Sequence, residues 1–307
     1  MNQKTNDPGL GEKYLINATR LINRDGSFNI KRYGAGFHHK DLYQFLINLT
    51  WPKFLTAIFT FYFIFNLIFA GIYILIGTNS LVGVHHENNI DSFTDTFFFS
   101  IQTFTTVGYG HIVPAGIVSN LAAAIEAMTG LLSFAIITGL LYGRFSKPSA
   151  RILFSNNILV TRTDSGNALM FRIANQRNTN LMELEAKVLF SYIEGESGSQ
   201  LRKYSDLKLE RSSVYFFPLN WTLVHPIDEQ SFLYGKTAAE LEKMRAELLI
   251  LVKGFDDTFS QVVHSRYSYK YDEIIWGAKF VRPYSTDEAG IVNFDLRDIH
   301  KYETSAM

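Results

Sequence analysis

A long gap in positive charge constrains this chain more than any other feature of its sequence. No Lys or Arg occurs between Lys53 and Arg144. Inside the gap lie two apolar runs: residues 54–76, which hold no charged residue, and residues 117–142, which Glu126 alone interrupts. An α-helix needs about 20 predominantly apolar residues to cross the hydrocarbon core of a bilayer. Both runs are long enough, so the sequence predicts two transmembrane helices rather than buried helices of a soluble domain.

The cations around this gap predict how the two helices are oriented. Cations precede the first run at Lys31, Arg32, Lys40 and Lys53, and they follow the second at Arg144, Lys147 and Arg151. Cytoplasmic segments next to membrane helices carry an excess of Lys and Arg. We therefore expect a multi-pass protein of the cell membrane with both termini in the cytoplasm.

An amphipathic stretch precedes the first apolar run. Its apolar residues recur at three- and four-residue spacing with polar residues between them, at Leu42, Phe45, Leu46 and Leu49. This spacing places the apolar side chains on one face of a helix. A helix of this kind lies in the membrane interface, so we predict an interfacial helix over residues 37–50. The alternative is a plain extension of the first membrane helix.

The segment between the two runs has the pattern of a shorter helix. Ser92 and Asp95 have the spacing of a capping box, and mostly apolar residues then continue to Phe104. About three helical turns cannot cross a bilayer, so we predict a re-entrant pore helix over about 92–104. Irregular backbone at membrane depth persists only where protein surrounds it or water lines it. The residues after this helix should therefore lie in a protein-lined site.

The residues that follow are Thr106, Val107, Gly108, Tyr109 and Gly110. They resemble the potassium channel filter, whose backbone carbonyl oxygens replace the water around the ion. The two glycines permit backbone angles that residues with a Cβ resist. We expect K⁺ to bind at Thr106, Val107, Gly108 and Tyr109, with the Thr106 hydroxyl adding oxygens at the inner end. One chain supplies one wall, so four copies must surround the axis as a homotetramer.

The second apolar run contains candidates for a gate. Phe134, Thr138 and Tyr142 lie four residues apart and share a helix face. If this face lines the pore, rings of Phe134 and Tyr142 would close it by dewetting; a packing stripe is the alternative. Gly130 is a candidate hinge, or else a residue that packs closely against the first membrane helix. A charge at membrane depth should face protein, so we expect Glu126 to make structural hydrogen bonds behind the filter.

The chain changes character after a short linker at residues 146–149. Alternating or apolar segments recur, separated by turn-forming residues, at 152–163, 168–174, 186–193 and 248–253. Hairpin turns are predicted at 164–167 and 195–199. A capping box from Thr237 to Glu240 predicts one short helix ending near Ala246. This spacing of short strands is typical of a β-sandwich, which we expect over residues 150–307.

Motifs spread over roughly residues 25–282 resemble the bacterial branch of the inward-rectifier potassium channels. They occur in the family's order at 25–29, 106–110, 144–148, 221–229, 265–269 and 272–277. The resemblance implies a two-helix potassium pore and an immunoglobulin-like cytoplasmic β-sandwich, four copies of which extend the pore inward. It also implies that anionic phospholipids act on cations after the second membrane helix, here Arg144, Lys147 and Arg151. Glu183 matches a position that faces the cytoplasmic vestibule.

Three positions depart from eukaryotic members of the family. Many of those members place an acid in the cavity, where it holds blocking cations such as Mg²⁺ or polyamines. The matching residue here is Phe134, which puts steep rectification in doubt. Those members also pair a Glu with an Arg behind the filter. The matching residues here are Gln102 and Ile112, so a different packing must brace the filter loop.

These predictions divide the chain into five parts. They are a cytoplasmic N-terminal segment at 1–36, the interfacial helix at 37–50, a pore domain at 51–145, the linker at 146–149 and the cytoplasmic domain at 150–307. Within the pore domain the membrane helices span about 52–76 and 117–143, and the filter spans 106–110.

Composition and the remaining motifs weigh against other classes of function. The formal net charge is zero, which does not indicate a nucleic-acid partner. Cysteine is absent, so disulfides and thiolate sites are excluded. Neither His225 with Asp228 nor His264 with Ser265 makes a catalytic triad pattern, so we expect no enzyme and no cofactor, with K⁺ as the permeant ion. Two alternatives stay open: a non-rectifying channel whose sandwich binds an effector, and a membrane receptor or adaptor, which leaves the filter unexplained.

Overall fold

The computed structural model describes residues 7–13, 16–34, 41–85, 88–147, 150–164, 166–195 and 199–305. The chain divides into two compact units. One, the pore unit, is Gly34–Lys147; the other, the sandwich unit, combines the residues before and after it. The division falls where apolar helices give way to short alternating strands.

The described residues of the pore unit form four α-helices. They are α1 Asp41–Asn48, α2 Trp51–Ile76, α3 Asn89–Phe104 and α4 Ile117–Phe145. A 3₁₀ turn at Thr78–Ser80 follows α2, and β1 Leu81–Val82 pairs with β2 Val113–Pro114. Pro52 lies in the first turn of α2, where its missing N–H costs no helical hydrogen bond. Gly77 ends that helix with a φ of 105°, which favours glycine.

The helices α2 and α4 are long and apolar enough to cross a membrane. They contain 26 and 29 residues, and α4 continues to Phe145, slightly past the expected end near residue 143. Only five residues of each helix are buried within the single chain. Large apolar faces therefore remain for lipid or for further protein, as a membrane location requires.

The pore helix α3 begins earlier than the sequence predicted. Its N-cap is Asn88, whose side-chain oxygen accepts a hydrogen bond from the Asp91 N–H at 2.8 Å. Ser92, the predicted cap, lies inside the helix and donates its hydroxyl to the His85 carbonyl at 2.8 Å. Asn is as good a cap as Ser, and tertiary contact decided between them. The helix therefore has 16 residues and begins at Asn89 rather than near residue 92.

The predicted interfacial helix is represented by α1. Residues 37–40 of that prediction lie outside the described residues, and the helix ends at Asn48. Tyr43 and Ile47 pack against Gly143 of α4, where an added Cβ would lie 2.6 Å from the Tyr43 hydroxyl. Leu42 and Phe45 stay exposed, so α1 keeps an apolar face toward its surroundings.

The sandwich unit contains two five-stranded sheets. The first has the order β11-β10-β6-β7, with β8 also paired to β6; its strands are β6 Leu181–Glu194, β7 Leu201–Leu207, β8 Ser213–Phe216, β10 Glu247–Asp256 and β11 Gln261–Lys270. The second has the order β12-β4-β5-β3, with β9 also paired to β5; its strands are β3 Ile152–Phe154, β4 Ile158–Thr163, β5 Gly166–Asn175, β9 Asn220–Ile227 and β12 Ile274–Trp276.

Smaller elements complete the sandwich unit. They are α5 Ala238–Lys243, the pairs β13 Ala278–Phe280 with β16 Tyr302–Thr304 and β14 Tyr284–Thr286 with β15 Val292–Phe294, and 3₁₀ turns at Tyr271–Glu273 and Leu296–His300. The Thr237–Glu240 capping box is present, and α5 ends at Lys243, three residues before the predicted Ala246. The predicted β-sandwich is confirmed.

The core of the sandwich lies between the two sheets. Phe171 from one sheet and Phe190 from the other are fully buried. Burying one such side chain contributes about 1.5–3 kcal/mol. Phe154 stacks on Tyr267 at 4.5 Å between ring centres, and the Tyr269 hydroxyl donates to the Ser155 carbonyl at 2.6 Å. That carbonyl lies between β3 and β4, so the predicted strand at 152–163 is broken in two.

The N-terminal segment belongs to the sandwich unit, which the sequence did not indicate. Leu21 and Ile22 are buried, and the Glu247 carboxylate accepts the Leu21 N–H at 2.9 Å. Glu273 receives ion pairs from Arg20 at 3.1 Å and from Arg24. The segment is therefore fastened to β10 and to the residues that follow β11.

Candidate ion-conduction site

The predicted filter follows α3 directly and has an unusual backbone. Positive φ angles recur at every second residue: 59° at Thr106, 55° at Gly108 and 79° at Gly110. Only glycine adopts this region at little cost, which explains why two of the three positions, Gly108 and Gly110, are glycines. When residues of opposite handedness alternate, successive peptide N–H groups turn to one side of the chain. The carbonyl oxygens then share the other side.

Hydrogen bonds fix which side of the filter loop carries the N–H groups. The Gln102 carbonyl near the end of α3 accepts the Val107 N–H at 2.9 Å and the Gly108 N–H at 3.3 Å. Thr106 N–H donates to the Thr103 carbonyl at 3.0 Å. The donors thus point back to the pore helix, where the partial negative charge of the helix end favours them.

Glu126 is the centre of a buried hydrogen-bond network between α2, α3 and α4. It is fully buried in α4, and the Tyr73 hydroxyl of α2 donates to its Oε2 at 2.6 Å. The Ser100 hydroxyl of α3 donates to its Oε1 and lies 3.0 Å from the Asn66 Oδ1. One carboxylate thus joins all three long helices of the pore unit. The expected structural role fits this geometry, although the identity of the hydrogen-bond partners could not be predicted from the sequence.

An apolar cluster supplies the rest of the packing around the filter loop. Ile112 packs against a buried cluster made of Phe69, Tyr73, Leu81, Val84 and Phe99. The Tyr73 and Phe99 rings lie 5.1 Å apart in an edge-to-face arrangement. Gln102 supports the filter loop through its main-chain carbonyl, which accepts the N–H groups of Val107 and Gly108. Ile112 therefore lies against an apolar cluster and not in a charge pair.

Replacing Glu126 should weaken the pore unit strongly. Glu126→Ala would leave the buried Tyr73 hydroxyl without its acceptor, at about 1–3 kcal/mol, whereas the Ser100 hydroxyl can still donate to the Asn66 Oδ1. We expect the free energy of unfolding to fall by roughly 1–3 kcal/mol, measured by denaturant unfolding in detergent. Glu126→Gln keeps an acceptor oxygen and should lose less than half of that.

Met128→Ala, two residues away on an exposed position of α4, is the matched control and should unfold nearly as the wild type does. If Glu126→Ala were as stable as this control, the carboxylate would not hold the three helices together.

Gly130 is a close-packing residue in this structure. A Cβ at this position would lie 1.8 Å from the Phe104 carbonyl oxygen at the end of α3. Helix α4 continues through Gly130 without a break. The contact matches the packing alternative, here against α3 rather than the first membrane helix, because only a glycine lets the two backbones approach so closely. The hinge role stays a prediction.

The three gate candidates share one exposed face of α4. Phe134 and Tyr142 are 64% and 74% exposed within the single chain, which leaves both rings available to a pore or to other copies. Thr138 is also exposed, and its hydroxyl donates to the Phe134 carbonyl at 2.9 Å. That hydrogen bond occupies the hydroxyl proton but leaves its oxygen lone pairs accessible.

Arg144 joins the end of α4 to the end of α1. Its guanidinium donates three hydrogen bonds of 2.8–2.9 Å to main-chain carbonyls, those of Leu46, Ile47 and Leu49. It also lies 4.6 Å from the Trp51 ring centre and 4.4 Å from that of Phe54. Carbonyls at a helix end carry partial negative charge, and cation–π contacts add to the attraction. Lys147 donates to the Asn48 side chain, whereas Arg151 is exposed.

Comparison with known proteins identifies the family. The family described as "Inward rectifier potassium channel C-terminal domain" matches residues 152–306, and the family "Ion channel" matches residues 54–147. The chain is 37% identical over 294 residues to the inward rectifier potassium channel Kirbac3.1 of Paramagnetospirillum magnetotacticum, covering 95% of this chain and 98% of that one. The chain belongs to the inward rectifier potassium channel family. This confirms the resemblance found in the sequence.

Eukaryotic inward rectifiers are more distant relatives. The chain is 27% identical to the mouse G protein-activated inward rectifier potassium channel 2, over 93% of this chain and 72% of that one. It is 29% identical to the mouse G protein-activated inward rectifier potassium channel 4, over 86% of this chain and 68% of that one. Both the pore unit and the sandwich unit therefore have counterparts in this family.

Membership in a channel family agrees with the absence of a catalytic arrangement around His225. The ring is buried and bonded at 2.7 Å on both sides, to the Lys208 carbonyl and the Ser231 hydroxyl. Burial lowers the pKa of His225, which keeps the ring neutral. His264 and Ser265 are adjacent on β11 and point to opposite faces of the sheet. The inward rectifier is a channel rather than an enzyme.

Glu183 marks an irregularity in the sandwich of this inward rectifier. It has a φ of 50°, and the pairing of β6 with β10 shifts register at this point, between Lys253 and Phe255. Such a bulge aims one side chain away from the regular pleat. Glu183 is exposed, and its place in a cytoplasmic vestibule stays a prediction.

Proposed function

We propose that four copies of this chain surround a potassium-selective pore whose filter is the carbonyl row of Thr106–Gly110. The observation that carries the proposal is the alternation of positive φ along these residues, with N–H groups held by the Gln102 carbonyl. A dehydrated potassium ion needs oxygens on all sides, and one chain offers them on one side only. A closed ring of identical chains supplies the remaining walls.

The exposed surface of the pore unit supports the same assembly. An apolar groove of about 730 Å³ lies beside the filter, lined by residues that include Phe59, Phe63, Phe97, Leu131 and Phe134. Val107 and Tyr109 are 53% and 79% exposed within the single chain. Neighbouring copies of the chain would cover these side chains, because the filter cannot keep its shape unless they are packed from behind.

Ion flux into liposomes tests the selectivity. Purified protein reconstituted in vesicles should carry potassium down its gradient, with sodium flux at the level of protein-free vesicles. Exclusion of sodium is expected because the carbonyl row is held by the hydrogen bonds to α3 and by the Glu126 network. Equal flux of the two ions through the wild type would defeat the proposal.

The inner half of α4 is the proposed gate. Rings of Phe134 and Tyr142, one from each copy, would form apolar constrictions that close by dewetting, with Thr138 between them. Bending at Gly130 would open them. Phe134 also occupies the position where other family members hold blocking cations such as Mg²⁺ or polyamines. Phe side chains carry no negative charge that could hold a blocking cation as a carboxylate does, so we expect shallow rectification.

We further propose that both termini lie in the cytoplasm. Anionic phospholipids in the cytoplasmic leaflet of the cell membrane would then act on this channel. The membrane location follows from the family and the two long helices. Arg144, Lys147 and Arg151 are the proposed lipid contacts. Arg144 is held by three main-chain carbonyls, whereas Lys147 makes one hydrogen bond to the Asn48 side chain and Arg151 is exposed, so Lys147 and Arg151 are better placed to respond to lipid charge.

Neutralising Lys147 and Arg151 together should weaken the response to anionic lipid. Each cation near an anionic surface contributes about 1 kcal/mol, so the double change to Ala should raise the half-maximal lipid fraction up to roughly thirtyfold. Potassium flux would be measured in liposomes over a range of anionic lipid contents. Lys243→Ala with Arg211→Ala, two exposed cations of the sandwich unit, is the control. An unchanged lipid dependence in the Lys147 and Arg151 variant would remove the assignment.

A further inference from the structure

The sandwich unit contains a polar cavity that the ion pathway does not use. Its volume is about 270 Å³. One side is formed by the N-terminal segment at Asn17 and Thr19, and the other by Arg202, Arg245, Glu247 and Lys270. Arg202 comes from β7, Lys270 ends β11, and Glu247 begins β10 directly opposite Lys270. The cavity therefore lies where the N-terminal segment meets the first sheet.

The lining of this cavity carries an excess of positive charge. It contains three cations and one carboxylate. The carboxylate of Glu247 is occupied, since it accepts the backbone N–H groups of Leu21 at 2.9 Å and Ile22 at 3.4 Å. Lys270 pairs with Asp272 at 2.9 Å. Glu247 offsets part of the charge of Arg202, and the three cations against one carboxylate leave the lining with a net positive charge.

The two arginines differ in a way that suits a binding site. Arg202 is only 1% exposed and is held by a hydrogen bond to the Ser191 hydroxyl at 3.0 Å. A buried guanidinium needs compensating negative charge, and Glu247 supplies part of it. Arg245 is exposed and has a φ of 46°, a conformation that L residues rarely adopt. This conformation ends helix α5, since Arg245 directly follows its C-cap Met244.

We propose that this cavity binds a small anion bearing a phosphate group. Guanidinium forks match phosphate oxygens with paired hydrogen bonds, and two of them line the cavity with an ammonium group. The Asn17 amide and the Thr19 hydroxyl add neutral donors. A volume near 270 Å³ holds one phosphate group with a small substituent and excludes a dinucleotide.

Such an anion would fasten the N-terminal segment to the sandwich. It would bridge residues 17–19 to β7 and β10, next to the contacts that Glu247 and Glu273 already make with this segment. A ligand that binds only the docked segment stabilises docking by mass action. The segment leads along the sequence toward α1, so the site is placed to act on the chain ahead of the pore. This site goes beyond the proposed potassium conduction, which does not depend on it.

Hydrogen exchange of the full-length protein in detergent tests the site. Inorganic phosphate is added at constant ionic strength, and exchange is followed in peptides covering residues 16–24. Phosphate should slow exchange there saturably, because opening of the docked segment becomes rarer. Arg245→Ala should raise the dissociation constant about tenfold or more, since it removes a charged hydrogen-bond donor. Arg202→Lys, which keeps the charge without the fork, should weaken binding too.

The matched control is Arg211→Ala, which removes an exposed arginine of the same unit outside the cavity and should bind phosphate as the wild type does. Equal dissociation constants for the Arg245 and Arg211 variants would overturn the site. A second arm replaces phosphate by vesicles containing phosphatidic acid. Slower hydrogen exchange in residues 16–24 with phosphate would show that the site binds a soluble anion. Slower exchange with the vesicles alone would show that it binds a lipid headgroup. Protection by neither would overturn the proposal.

Discussion

Gly130→Ala should abolish assembly of a conducting pore. The added methyl group would lie 1.8 Å from the Phe104 carbonyl oxygen and 2.7 Å from its carbon. Real non-bonded contacts of this kind are well over 3 Å, and the obstacle is backbone rather than a side chain that can rotate. Helix α4 must therefore move away from the end of α3. Because the filter begins two residues after Phe104, this displacement would carry the carbonyl row with it.

Tetramer content in detergent and potassium flux in liposomes would both be measured. Gly139→Ala is the control, since a Cβ there meets no atom within 4 Å in the chain. It adds the same methyl group to the same helix and improves helix propensity by about 1 kcal/mol, as Gly130→Ala also would. We expect tetramers and flux from the Gly139 variant and neither from the Gly130 variant.

The same experiment separates the two roles considered for Gly130. A hinge without a packing function would allow Gly130→Ala to assemble normally and change only the open probability. Stable tetramers of this variant with altered gating would therefore contradict the packing account. Loss of the tetramer, with Gly139→Ala intact, would support it.

The features predicted best from the sequence were those that depend on the local chain alone. The membrane helices follow from an apolar run of sufficient length and from the missing cations between Lys53 and Arg144. The sandwich follows from short alternating segments between turns. The start of α3 was less well determined, because Asn88 and Ser92 are comparable caps, and the choice depended on a contact of Ser92 with His85.

Contacts between distant parts of the chain could not be predicted in this way. Glu126 was recognised as a buried acid, but Tyr73 and Ser100 are ordinary residues of apolar helices until the fold brings them together. Arg144 has the position of a lipid-facing cation, and nothing in its sequence neighbourhood indicates the α1 carbonyls. The docking of Leu21 and Ile22 depends on Glu247, more than two hundred residues away.

Gly108→Ala should eliminate potassium conduction for a different reason from Gly130→Ala. A Cβ at Gly108 meets no atom within 4 Å in the chain, so the cost comes from the backbone and not from a clash. The φ of 55° costs an L residue about 1–2 kcal/mol, or roughly 4–8 kcal/mol over four subunits. The chain can relieve this strain by turning a filter peptide, which removes its oxygen from the ion path. Conduction should be lost while the tetramer persists.

Gly71→Ala is the control for this change. Gly71 lies inside α2, and a Cβ there also meets no atom within 4 Å. In a helix this substitution is favourable by about 1 kcal/mol, so the variant should fold and conduct. Gly108→Ala and Gly71→Ala therefore add the same methyl group and differ in the backbone conformation of the residue that receives it.

Potassium and sodium flux in liposomes carrying Gly108→Ala or Gly71→Ala tetramers is the most direct measurement of whether main-chain oxygens select the ion. The Gly71 variant should pass potassium and exclude sodium, and the Gly108 variant should pass neither above the level of empty vesicles. Potassium uptake through Gly108→Ala at the rate of the control, with sodium still excluded, would contradict the carbonyl filter.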